Sequence, residues 1–301
     1  MKQYIAVTIV GLSIFTNVHA DIGNETPASH FTLKDLPGLS QPAQAADNTT
    51  TNTTSAFALP LLAALRGDTK AQVVVGQAYL VGNGVSVDNR QALHWFRIAA
   101  RNGSMDAEVF VGDMYRRGRG TAQNYDKALE HYRKAAATGN PLGQFSLHRM
   151  YFNGYGVLRD TGEALRWLHK SAEGGLAAAQ TRLGKMYKAG MFVKRDAREA
   201  VRWFHLAADQ GDVEAQFQLA KLYAMGMGVD KNYVQSYVWL QIVMDSCRQG
   251  AQKQQCLDYL SSVTSTLTPK QIKTAYQLIY RKKQHLAAAE KKSSMGYTIN
   301  W

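Results

Sequence analysis

The side chains in this chain that could do chemistry are two cysteines, eight histidines and the acids near them. His94, His131, His148, His169, His205 and His285 never fall into the HExxH spacing that brings two imidazoles to a metal on one helix face. No serine or cysteine nucleophile is set beside any of them. Glu163 and Glu199 are the acids best placed for acid–base work, yet each stands three residues after Asp160 or Asp196. That is the spacing of a helix start, where an N-cap and a third-position carboxylate close on free backbone N–H groups, so these acids read as caps. His169 and His205 share a register with Arg97 and Arg133, as one polar ladder along a helix. No catalytic constellation follows, no metal and no cofactor are implied, and the chain reads as non-enzymatic.

The two glutamates point to what positions everything else, because they lie one repeat apart in a period of 36 residues. Copies begin at Ala71, Ala107, Gly143, Ala179 and Ala215 with no insertion. The fifth position is Val75, Val111, Leu147, Leu183 and Leu219; the ninth is Tyr79, Tyr115, Tyr151, Tyr187 and Tyr223. The twelfth is always glycine, at Gly82, Gly118, Gly154, Gly190 and Gly226. Further on come Ala92, Ala128, Ala164, Ala200 and Ser236, then Trp95, His131, Trp167, Trp203 and Trp239. Such self-similarity marks a solenoid, whose units bury their apolar faces only by stacking on neighbours. The expected fold is therefore all-α, with five units over 71–250.

Each unit divides into two helices. In the first, A, positions 1, 5, 8, 9 and 12 are small or apolar, an i, i+4, i+7 stripe, and the glycine supplies the positive φ that ends it. A second glycine follows at Gly84, Gly120, Gly156 and Gly228, but the fourth unit has Phe192, so its loop is expected to be rebuilt. The second helix, B, starts at Asp88, Asn124, Asp160, Asp196 or Asn232, with Gln91, Glu163, Glu199 and Gln235 giving capping boxes. Its tryptophans share one register and read as core anchors.

Outside the units, 55–70 is a capping half-repeat, since Ala63, Ala64 and Gly67 anticipate Ala99, Ala100 and Gly103 by one period. Residues 251–290 supply a degenerate helix and a C-terminal capping helix that starts at Thr268-Pro269-Lys270-Gln271, and 291–301 reads as a disordered tail. Residues 1–20, with Lys2, an apolar core and Val18-His19-Ala20, read as a cleaved secretory signal, leaving Asp21 as the mature start. Residues 21–54 are polar and aperiodic, a flexible linker. An exported chain with an even cysteine count favours a disulfide between Cys247 and Cys256, worth about 2–3 kcal/mol for so short a loop. The formal charge of +12 is concentrated after residue 54, because residues 1–54 hold two lysines against four acids. Such a body is drawn to acidic partners; nucleic acid fits the charge but conflicts with export.

Ala-Gln-x-x-Leu-Gly-x-x-Tyr-x-x-Gly-x-Gly-Val, then a cap and Ala-x-x-Trp-Phe/Tyr-x-x-Ala-Ala-x-x-Gly, resembles the Sel-one-like repeat, a relative of the tetratricopeptide repeat. The likeness covers 71–250. It implies a right-handed α/α superhelix that serves as a protein–protein adaptor, in bacteria often in the envelope or in host contact. A cysteine-rich branch of that family is associated with binding or hydrolysing β-lactams, but there each repeat has its own cysteine pair and here there is one, so that activity is not carried over. The resemblance also implies that helix A lines a concave groove. The A-helix positions away from the core stripe are 3, 7, 10 and 11, and unlike the core positions they vary. They include Asp113, Arg116, Arg117, Phe145, Arg149, Phe152, Lys185, Lys188, Phe217 and Lys221, which mix aromatic pockets with a basic run. The groove is expected to receive an acidic, partly apolar segment of another envelope or host protein, in the periplasm or outside the cell. Two other readings stay open: a binder of anionic glycan or membrane surface that also uses the basic stretch 269–292, and a peptidoglycan- or β-lactam-related hydrolase.

Overall fold

A computed structural model describes residues 48–246 and 251–293 of the chain. The signal segment, most of the linker, Cys247 and residues 294–301 lie outside that range. Thirteen helices and no strand occur among the described residues. After α1 (Asn48–Leu65), five A–B pairs follow: α2 (Thr69–Val81) and α3 (Asn89–Arg101), α4 (Met105–Arg117) and α5 (Tyr125–Ala137), α6 (Pro141–Asn153) and α7 (Thr161–Glu173), α8 (Ala177–Ala189) and α9 (Ala197–Ala208), α10 (Val213–Met225) and α11 (Tyr233–Ser246). Helices α12 (Ala251–Thr264) and α13 (Pro269–Ser293) follow them. From α1 to α12 each helix packs on the next, α13 packs back on α11, and together they form an α/α solenoid.

The repeated residues form the elements for the reasons their spacing suggests. The twelfth-position glycines end every A helix with φ between 66° and 80°. Asp88, Asn124, Asp160, Asp196 and Asn232 cap the B helices, their side-chain oxygens accepting backbone N–H bonds at 2.8–3.1 Å. The capping boxes are only half made, however. The cap residue's own N–H donates to the carbonyl of the ninth-position tyrosine in each unit, from Asp88 to Tyr79 through Asn232 to Tyr223. That leaves Glu163 and Glu199 to pair with Arg166 and Arg202 instead. A complete box does form at α13, where Thr268 N–H donates to Gln271 Oε1 and Gln271 N–H to Thr268 Oγ1.

Other departures from expectation sit at the edges. Helix α1 begins at Asn48, inside the stretch read as linker, and its Leu61 and Ala64 are buried, with Phe57 edge-on to Tyr79 at 5.5 Å. Phe192 keeps the glycine backbone, φ 60°, so the fourth loop is not rebuilt. Holding a bulky residue there costs about 1–2 kcal/mol. At the C-terminal end Ala275, Ile279 and Leu286 of α13 join the core. Lys282 and Lys283 of the basic stretch are taken up by Asp209 and Asp245, at 2.9 and 2.5 Å.

Candidate partner-binding groove

Two of the four successive A-helix pairs touch, α4 with α6 and α8 with α10, while successive B helices of the five units make no comparable approach. A stack whose A helices lie closer together curves toward them, so the A face is the inner one. The variable positions divide on that face by depth. Position 3 is interior: Val73, Val109, Phe145, Thr181 and Phe217 are all buried. Phe217 therefore does not open to the groove; it packs edge-on against Tyr259 at 5.8 Å. Packing between helices of the stack closes over position 3, which a single-helix wheel cannot show.

Positions 7, 10 and 11 remain accessible, and their charges are partly balanced. In the second unit Arg116 pairs with Asp113 at 2.9 Å, and the Tyr132 hydroxyl donates to the same carboxylate at 2.8 Å. In the fourth, Lys185 pairs with Glu214 at 3.2 Å and Lys188 donates to Gln218 at 2.6 Å. Lys221 lies over the rings of Phe217 and Tyr259, 5.4 and 5.2 Å from their centroids.

The third unit is different. A pocket of about 300 Å³ is lined by Arg117, Phe145, His148, Arg149, Phe152, Asn153 and Arg182. Arg182 stacks over Phe152 at 4.9 Å, and Phe192 meets the same ring edge-on at 5.6 Å. The Arg149 guanidinium is held below its ordinary pKa by burial, then by the neighbouring Arg116 and, more weakly, Arg117. Neither Arg117 nor Arg182 makes an ion pair with a described residue. Positive charge is thus crowded around an opening floored by aromatic rings.

The chain's repeats match a known family over most of the solenoid: five Sel1 repeats are recognised at residues 69–104, 106–140, 142–176, 177–212 and 213–242. The chain belongs to the Sel1 repeat family. Sel1 repeat proteins are in general scaffolds that bind other proteins. A Sel1 repeat protein from Oxalobacter formigenes is 31% identical, with a TM-score of 0.60, over 68% of this chain and 58% of that one. The protein c5321, a protective antigen of uropathogenic Escherichia coli with an SLR fold, is 26% identical over 83% of this chain and 61% of its own, with a TM-score of 0.44. Immunity protein Pa5087 of Pseudomonas aeruginosa is 19% identical over 67% and 83%, with a TM-score of 0.49. This chain spans less than two thirds of the first two structures' own length. The comparison with curated proteins gave no match.

Within this Sel1 array two paired departures stand out, one missed by reading each residue alone. Position 2 is Gln72, Gln144, Gln180 and Gln216 but Glu108 in the second unit. Three of these glutamines donate to the alanine carbonyl eight residues earlier. Glu108, 2% exposed, instead meets His131 Nδ1 at 2.7 Å and Lys134, and His131 stands where other units have tryptophan. Burial disfavours its charge, but the bonds from His131 and Lys134 outweigh that and hold its carboxyl below the usual range. Position 6 is Gly76, Gly112 and Gly184 opposite Phe96, Tyr132 and Phe204, whose rings fill the space a Cβ would take. In the third unit the residue types are exchanged between the two registers: His148 stands on helix A where the glycines stand, Leu168 on helix B where three other units carry the ring, and both are buried. The sequence signal was present, since position 6 is otherwise glycine or alanine.

Among the described residues no group of three His, Cys, Asp or Glu is arranged to hold a metal, and no helix is long and apolar enough to cross a membrane. Cys256 is buried on α12; its expected partner lies outside the described residues.

Proposed function

We propose that this Sel1 repeat protein is a non-enzymatic scaffold of the bacterial periplasm or exterior. It holds an extended, acidic and partly apolar segment of another protein along its A-helix face. The observation behind this is the excess of cations at positions 7, 10 and 11: Arg116, Arg117, Arg149, Lys185, Lys188 and Lys221 outnumber Asp113 and the Glu214 that pairs with Lys185. Aromatic rings lie beneath them, which suits a segment alternating acidic and apolar side chains. Export rests on the first twenty residues. An anionic glycan or membrane surface would draw on the same cations, but Lys282 and Lys283 of the basic C-terminal stretch are already paired with Asp209 and Asp245.

A photocrosslinking side chain at Lys188, outside the third-unit pocket, tests the scaffold role in cells. The expected product is a polypeptide whose trapped segment, located by mass spectrometry, is acidic. Reversing the charge of Arg117, Lys185 and Lys221 together should abolish the product with helicity retained and melting lowered only by the lost Lys185–Glu214 pair and the Lys221 ring contacts. Unaltered trapping in that variant would overturn the proposal.

A further inference from the structure

The third-unit pocket combines three features that no other unit has. The first is His148. Its Nδ1 lies 2.9 Å from the backbone carbonyl of Ala164, which can only accept, so Nδ1 carries the proton. In the neutral ring Nε2 is then a bare acceptor, and this atom is buried with no hydrogen-bond partner among the described residues. Burial, with Arg182 and Arg149 nearby, holds the imidazole at a pKa of about 4, so it is neutral at ordinary pH. A buried acceptor left unmet costs about 1–3 kcal/mol, so an N–H reaching it is favoured. The second is Arg182, whose Nε is likewise buried and without a partner, beside Arg117 and Arg149 in the pocket wall. Arg117 and Arg182, neither of them ion-paired with a described residue, call for an anion. The third is the apolar floor of Phe145 and Phe152, joined by Phe192, whose strained backbone persists where a glycine stands in other units.

We infer that this pocket is the register-fixing anchor of the groove: it takes one acidic side chain from within the bound segment, on Arg117, Arg149 and Arg182, while His148 Nε2 accepts a main-chain N–H beside it. An apolar neighbour of that acid packs on Phe145 and Phe152. The acid is internal rather than a chain end because the pocket sits in the middle unit, with further cations on both sides at Arg116 in the second unit and Lys188 and Lys221 in the fourth and fifth. A segment ending at the third unit would leave half of them uncovered. This inference rests on the scaffold reading and specifies what that scaffold recognises.

The probe is the blocked peptide acetyl-Leu-Glu-Leu-amide, added to the full chain while the imidazole nitrogens are followed by nitrogen-15 NMR. The expected result is a saturable shift of the His148 Nε2 resonance away from the bare-acceptor position, with at least tenfold weaker binding of acetyl-Leu-Gln-Leu-amide. Arg182→Gln should weaken the glutamate peptide by about tenfold, the equivalent of one charged hydrogen bond. The double variant His148→Gly/Leu168→Phe restores the ring arrangement of the neighbouring units and should also weaken binding about tenfold, with an unchanged melting profile. Three outcomes overturn the inference: a still His148 resonance at saturating glutamate peptide, equal binding of acetyl-Leu-Leu with a free terminal carboxylate, or displacement by inorganic phosphate at equal concentration. Crosslinking from Lys188 that persists alongside any of these would sink the anchor and leave the scaffold standing.

Discussion

Gly184 packs against Phe204 so closely that a single methyl group tests the logic of the array. A Cβ built on Gly184 would lie 2.7, 2.8 and 3.0 Å from three carbons of the Phe204 ring. Ordinary carbon contacts are about 3.5–4.0 Å, so the ring must retreat by roughly 0.7 Å or more, and both residues are buried. Overpacking of this kind costs about 1–3 kcal/mol, while replacing glycine by alanine inside a helix returns about 1 kcal/mol. Gly184→Ala should therefore destabilise the chain by up to about 2 kcal/mol despite the better helix former. Phe204→Leu alone should cost about 1.5 kcal/mol through lost contact. The fifth unit already contains the relaxed pair, Ala220 with Leu240, both buried. The double variant Gly184→Ala/Phe204→Leu should accordingly be less destabilised than the sum of the singles, by about 1–2 kcal/mol of coupling. Urea unfolding followed by far-ultraviolet circular dichroism gives all four stabilities. Strict additivity, or a stabilising Gly184→Ala, would refute the claim that the glycine is there to admit the ring.

The buried imidazole and the buried carboxylate both have lowered pKa values, and both contributions are lost as the pH falls. His148 has a folded pKa of about 4, below its ordinary value, so the unfolded chain binds the proton more readily. Its contribution, on the order of 3 kcal/mol, is full above about pH 6.5 and is lost as the pH falls toward 4. The difference in unfolding free energy between the wild type and His148→Gly/Leu168→Phe should change across that window, and a pH-independent difference would contradict it. Glu108 is held below the usual carboxylate range, so its stabilisation is present above about pH 4.3 and disappears as the pH falls through the lowered value. Glu108→Gln should cost about 1–3 kcal/mol at neutral pH and progressively less in acid, read from urea midpoints. For the cysteines, the exported chain should take up two alkyl groups only after reduction, with a loss of about 2–3 kcal/mol on reduction. Alkylation of both thiols without reductant, detected by intact mass, would exclude a Cys247–Cys256 bond.

The period of 36 residues determined the element order, because a residue that returns at one register in every unit can only be serving the stack. The glycine that ends each A helix, the Asp or Asn that caps each B helix and the buried Trp95, Trp203 and Trp239 were legible for that reason, although Trp167 at the same register is only half-buried, under Lys170. The caps of the A helices, Asp68, Ser104, Asn140 and Asp212, share the period and were equally available, though the frame beginning at Ala71 passed over them. Only the tertiary structure decided what depends on two units at once. Position 3 lies on the outer arc of an isolated helix, yet packing against the other helices of the stack buries it. The glutamates of the capping boxes are released because the tyrosine carbonyl of the preceding helix reaches the cap first. His148 looked like one histidine among eight; its role follows from Leu168, twenty residues on, leaving the space that a ring fills in other units. Period is a property of the chain, whereas which atoms meet across the stack is a property of the folded array, and the candidate site is built from the latter.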